Sequence, residues 1–222
     1  MKKKKIIIAA IVSFFLIVSL VVAIPFLVLT VRTANLDNDY SYLKEDNEYS
    51  TKVEANGLTL VTQKISCGYA SIEMLSSYYG NKVSEDDLSK KNNGAITTSS
   101  SDGFLKEINK SIPSKSFIKK NYLKSDILFK EIHDSLKNSN PVALEWAAKY
   151  ENEWTLHFSV ISGLDIANDS VQIYNPYGYI ENISVDEFVS RASFKAYKNI
   201  PLFLNFGFAF GAFEKNTIFF AK

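Results

Sequence analysis

The chain has 222 residues, 46% of them hydrophobic, with one cysteine, two histidines and a formal net charge of +1, which suffices for one domain with its own core. One cysteine excludes an intrachain disulfide, and one cysteine with two well-separated histidines excludes a zinc-type ligand cluster, so neither metal nor cofactor is expected. Five of the 25 basic residues (Lys2 to Lys5 and Arg32) and none of the 24 acidic ones precede Asp37, leaving 20 against 24 and a net charge of −4 for the remainder, which argues against nucleic acid as a partner.

Residues 1–5 form a basic segment, and Ile6 to Val31 are 26 residues without a charge. At about 1.5 Å per residue such a helix spans roughly 39 Å, more than a hydrocarbon core of about 30 Å requires. Val21-Val22-Ala23 also reads as a small-residue cleavage site. Cleavage there leaves the apolar IPFLVLTV at the new terminus, so an uncleaved anchor over residues 6–31 is expected. Lys2 to Lys5 against a lone Arg32 puts the N-terminus in the cytoplasm and the rest outside the cell membrane.

Residues 32–56 are polar and read as a tether, and residues 57–222 as the folded domain. Gly57 to Val61 reads as a short strand leading to Gln63. Ser66 then caps a helix whose first residue is Cys67, with Met74, Leu75, Tyr78 and Tyr79 as its apolar stripe and Gly80-Asn81 as its stop. Ser84 opens a short helix by a capping-box pattern, Asn92 to Ser100 is a loop, and a helix starts at Ser101 or Asp102. Ser125 is expected to cap a helix through Lys137 that carries His133 as a surface or boundary residue. From Pro141 the period changes to two. Pro141 to Trp146 reads as a strand, and Thr155 to Leu164 pairs with Ser170 to Tyr174 across Ala167-Asn168-Asp169 as an antiparallel hairpin. Ser184 opens another short helix, and the alternation of Phe206, Phe208 and Phe210 with glycine and alanine reads as a strand within Leu202 to Phe213, before a last strand at Thr217 to Ala221. Helices first and an antiparallel sheet second make an α+β domain.

Cys67 at a helix N-terminus has its thiolate favoured by the helix dipole, although a lone cysteine is more often a small buried hydrophobe. His157 lies early in the first hairpin strand and Asn175 ends the second, so the two face each other near the open end of the hairpin. An amide oxygen on one ring nitrogen fixes the tautomer and leaves the other to face a thiolate, which His157 is expected to hold as its imidazolium partner. Nucleophile, base and orienter are then in hand, with Gln63 and the Cys67 N–H as candidate donors to an oxyanion.

These residues resemble the papain-like cysteine peptidases, and among them the bacteriocin-processing (double-glycine leader) peptidases and their relatives. The resemblance rests on Gln63 upstream of Cys67-Gly68, on His157-Phe158-Ser159-Val160-Ile161-Ser162-Gly163, and on Asn175-Pro176-Tyr177-Gly178. Pro141-Val142-Ala143 and Val185-Asp186-Glu187-Phe188 also fit, and the match runs from about residue 58 to 190. It implies a papain-like fold, with the cysteine helix packed on an antiparallel sheet, and a membrane-anchored thiol protease acting on a peptide or protein through catalytic Cys67, His157, Asn175 and Gln63. Two departures stand out: Gln63 is closer to the cysteine than in papain, and the third member is Asn where these relatives often carry Asp. An acyl transferase using the same thiol, and an inactive membrane-tethered binding domain of the same fold, are the rival readings.

Overall fold

The computed structural model describes residues 2–222, with side chains from residue 10 onward. In chain order the elements are α1 (Lys2–Thr33), β1 (Val53–Glu54), α2 (Cys67–Tyr78), α3 (Glu85–Lys91), α4 (Ser101–Ser111), β2 (Phe117–Lys120), α5 (Ser125–Lys137), β3 (Val142–Tyr150), β4 (Glu153–Asp165), β5 (Ser170–Asn175), β6 (Tyr179–Ile183), α6 (Val185–Ala192), α7 (Leu202–Ala209) and β7 (Thr217–Ala221). The strands form one sheet in the order β2-β7-β3-β4-β5-β6, and every pairing is antiparallel. β3 begins opposite Ile161, so the edge of β4 beyond it is free, and β1 takes it by pairing with Gly163 and Leu164.

Two cores sandwich the sheet. On one face Ile72, Met74 and Leu75 of α2 and Phe104 and Ile108 of α4 pack on Phe158, Val160 and Phe219. Phe104 stacks flat on Phe158 with centroids 4.4 Å apart. On the other face Leu128, Phe129 and Ile132 of α5 and Phe188 of α6 pack on Leu144, Trp146, Ile161 and Ile173. The alternation of β3 and β4 thus feeds both layers, as period-two side chains in a doubly covered sheet must.

Five expectations are corrected here. Residues 32–56 do not hang free: Leu36, Leu43, Val53 and Ala55 are buried, Leu43, Val53 and Ala55 within the α5 core. The stretch Gly57 to Val61 has no strand partner; it runs extended, and Leu58 packs on the α2 layer. Ser125 is the first residue of α5 and not its cap, because its hydroxyl and its N–H both donate to Leu36 O, at 2.9 and 2.8 Å. His133 is fully buried and not at the surface, since Tyr49 packs edge-on against it and Thr51 Oγ1 lies 3.2 Å from its Nε2. Leu202 to Phe213 contains a helix, α7, and no strand. Its phenylalanines alternate with small residues, but the residues turned inward are Leu204 and Phe208, four apart. A side chain at Gly207 would meet the Phe213 ring at 2.4 Å, so glycine there lets the chain fold back over the helix.

Candidate active site

The segment before Cys67 is held by one carboxylate. Glu85, at the first position of α3 and only 3% exposed, accepts from Lys64 N, Ile65 N and Ser66 N at 2.7, 3.4 and 3.0 Å. Ser66 then caps α2 as expected, its Oγ accepting from Tyr69 N. These bonds satisfy N–H groups that no helix partner can reach, and they fix where the Cys67 side chain leaves the backbone. Gly68 follows because Thr98 fills the space of its missing Cβ, which would meet Thr98 Oγ1 at 2.3 Å.

The sulfur lies against β4. The N–H groups of Phe158, Gly68 and Cys67 itself are directed at it and favour a thiolate, but burial outweighs them and pushes the thiol up to about 11. Phe158 is the residue after His157, so α2 delivers its first residue to the segment of β4 that carries the histidine. On His157, burial dominates again: it lowers the imidazole to about 3, opposed by the Asn175 hydrogen bond and assisted by the charge of Arg191. Both shifts favour the neutral forms of the two groups, against the expected thiolate and imidazolium.

The tautomer of that imidazole follows from its neighbours. His157 Nε2 lies 2.9 Å from Asn175 Oδ1. Tyr177 N, which can only donate, bonds the same oxygen at 2.9 Å, and Asn175 Nδ2 donates to Glu181 Oε1 at 2.6 Å. The amide orientation is therefore fixed from both ends, and Nε2 must carry the hydrogen. Nδ1 is left with its lone pair. Glu181 is held in turn by Arg191, whose Nη1 is 2.7 Å from Glu181 Oε2 and whose guanidinium lies 3.7 Å over the Trp146 ring. Glu181 and Arg191 were not singled out in the sequence; an acidic residue in a strand and a basic one in a helix's last turn carry no local signature of a meeting.

Tyr177 covers the pair. Its ring stacks on the His157 ring at 4.0 Å, and its hydroxyl is 2.7 Å from Thr155 Oγ1. Gln63 joins from the other side, with its N–H donating to Pro176 O at 2.7 Å and its side-chain Oε1 buried without a partner. Thr62, Gln63, Tyr150, Thr155, Pro176 and Tyr177 line a cleft of about 390 Å³. Among the described residues no cluster of three or more His, Cys, Asp or Glu is placed to hold a metal ion.

In comparisons with known proteins, no curated sequence matches. The fold is similar to a solved double-glycine-motif protease from an AMS/PCAT transporter in complex with its leader peptide, with a TM-score of 0.50 and 16% identity over 76% of this chain and 94% of that one. The peptidase domain of Streptococcus ComA, a bifunctional ABC transporter of a quorum-sensing pathway, matches with a TM-score of 0.48 and 17% identity over 74% of this chain and 98% of that one. With its α+β fold and antiparallel sheet, and with the model of that family matching residues 55–201, the chain belongs to the Peptidase_C39 like family.

Proposed function

We propose that this chain is a membrane-anchored cysteine peptidase whose domain faces away from the cytoplasm and whose nucleophile is Cys67. The observation that carries the reading is the fixed tautomer of His157: a bare Nδ1 is what a base needs to take the thiol proton, and an imidazole locked by Asn175 is what keeps it aimed. Because burial favours the neutral pair, proton transfer from Cys67 to His157 accompanies attack on the carbonyl and does not precede it. His157 then returns the proton to the leaving amine, and a water activated by the same ring releases the acyl group. Gln63 lines the cleft next to Tyr177, whose ring stacks on His157, and its Nε2 with the Cys67 N–H supplies the donors for the oxyanion. Family membership supports peptide-bond chemistry, and the leader peptide bound to the AMS/PCAT protease supports a peptide as substrate, entering by the cleft beside Tyr177. Anchoring rests on Ala10–Thr33, 24 residues long and apolar enough to cross a membrane, with none of its most apolar window buried against the domain. The test is peptide-library cleavage by the full chain in lipid nanodiscs. Cleavage should be lost in Cys67→Ala and His157→Ala and weakened less in Asn175→Ala, which removes an orienter and no proton carrier. Undiminished cleavage by Cys67→Ala overturns the assignment.

A further inference from the structure

Helix α7 presents two apolar faces, and only one of them is used by the fold. Leu204 and Phe208 turn inward onto Ala147 and Phe194. Leu202, Phe203 and Phe210 turn outward and are 70%, 69% and 55% exposed, with Phe206 between them at 37%. So dense an apolar surface on one short helix, without a charge in it, needs a cover.

Its neighbour says what the cover is. Phe26 of α1 packs edge-on against Phe206 at 5.3 Å, and Leu29 joins the small core beneath α7. Pro25, Phe26, Leu29 and Thr33 are the partly buried positions in the last turns of α1, a spacing that makes one helical face. The uncharged run of α1 ends at Val31, so at about 1.5 Å per residue Phe26 lies roughly 8 Å inside that end. That is the depth, about 5–10 Å, at which amphipathic helices rest in a bilayer interface. Arg32 lies in the last turn of α1 and the exposed Lys198 four residues before α7, so each segment has a basic side chain near it in the chain.

We infer that α7 is an interfacial membrane helix, with Leu202, Phe203, Phe206 and Phe210 immersed in the leaflet that receives the C-terminal end of α1. The domain is thereby held at two points on the bilayer and not by a single flexible stalk. The inference rests on the reading of α1 as an anchor, and the experiment separates the two. In the full-length Cys67→Ala chain, single cysteines from Phe203→Cys, Phe210→Cys, Phe15→Cys and Ile127→Cys are labelled with an environment-sensitive fluorophore. Each is reconstituted into vesicles whose lipids carry a nitroxide near the glycerol end or near the methyl end of the acyl chain. Labels at positions 203 and 210 should be quenched by the shallow nitroxide more than by the deep one and be protected from aqueous iodide. The label at 15 should be quenched by the deep nitroxide, and that at 127 by iodide alone. Iodide quenching at 203 and 210 with position 15 still in the bilayer overturns the inference and leaves the anchor standing. Loss of quenching at position 15 overturns the anchor first. Protection at 203 from both nitroxides and iodide, with energy transfer between labelled copies, assigns the face to a second copy and also overturns the inference.

Discussion

Burial pushes the Cys67 thiol up to about 11 and lowers the His157 imidazole to about 3, both toward the neutral form, and that direction bears on how Cys67 should react outside catalysis. Alkylation requires the thiolate. With a neutral pair, the rate of Cys67 alkylation by iodoacetamide should rise about tenfold per pH unit from neutrality toward pH 11, and His157→Ala should leave that slope unchanged. An ion pair instead gives a rate that is already flat at neutral pH and falls when the histidine is removed. A flat profile measured in the unsubstituted chain would sink the neutral pair. The same residues show what a sequence conveys at this scale. Cys67 was legible as the first residue of a helix, and His157 with Asn175 as neighbours, because a helix start and the open end of a hairpin are local patterns. Gln63 was legible as a member of the cleft, since only three residues separate it from the cysteine. Glu85, Glu181 and Arg191 were not, because each is an ordinary charged residue until a partner from another element arrives.

Among the elements, α4 and α2 each admit a neighbouring loop through a glycine, and the neighbours differ in kind. A Cβ at Gly103 would meet the backbone oxygen of Thr97 at 2.2 Å, whereas one at Gly68 would meet the Thr98 side chain at 2.3 Å. A side chain can rotate away; a backbone carbonyl moves only with its loop. Overpacking costs about 1–3 kcal/mol, and a chain of this size loses about 2–4 °C per kcal/mol. Gly103→Ala should therefore lower Tm by roughly 5 °C and Gly68→Ala by less, as read by thermal unfolding in nanodiscs; the reverse order would refute the distinction. The elements that the sequence hid share one cause. α7 was misread because small residues between phenylalanines imitate a strand's alternation, and the inward pair Leu204 and Phe208 is as compatible with a period of two as with helical spacing. Residues 36–55 read as a tether because their buried members, Leu36, Leu43, Val53 and Ala55, are scattered among polar residues with no period. They wrap one layer of the sheet, and wrapping segments follow the shape of what they cover. β4 with β5, by contrast, was plain from turn residues and alternation, since a hairpin is specified within itself.

For the molecule as a whole, two buried groups set opposite pH slopes on stability. His157 is lowered from 6.5 to about 3, so between those values the unfolded chain binds a proton that the folded chain refuses, and stability rises with pH there. Glu145 is fully buried in β3, opposite Phe158. Burial raises its carboxyl from 4.5 to about 8, against the pull of the Ser101 hydroxyl that donates to it. Between those values the folded chain holds a proton that the unfolded chain releases, so stability falls as pH rises. The two effects oppose each other at acidic pH, but above 6.5 the contribution of His157 fades and the loss from Glu145 dominates up to about 8. Cys67 adds a further loss centred between 9 and about 11. Of these three groups Glu145 is the main contributor in the window from 6.5 to 8. Glu145→Gln keeps the shape and the acceptor for Ser101 while removing the titration. Its Tm should stay level across that window, where the unsubstituted chain's declines, and the variant should be the more stable of the two at pH 8. Parallel Tm curves for the two chains would show that the Glu145 carboxyl does not hold its proton in the fold.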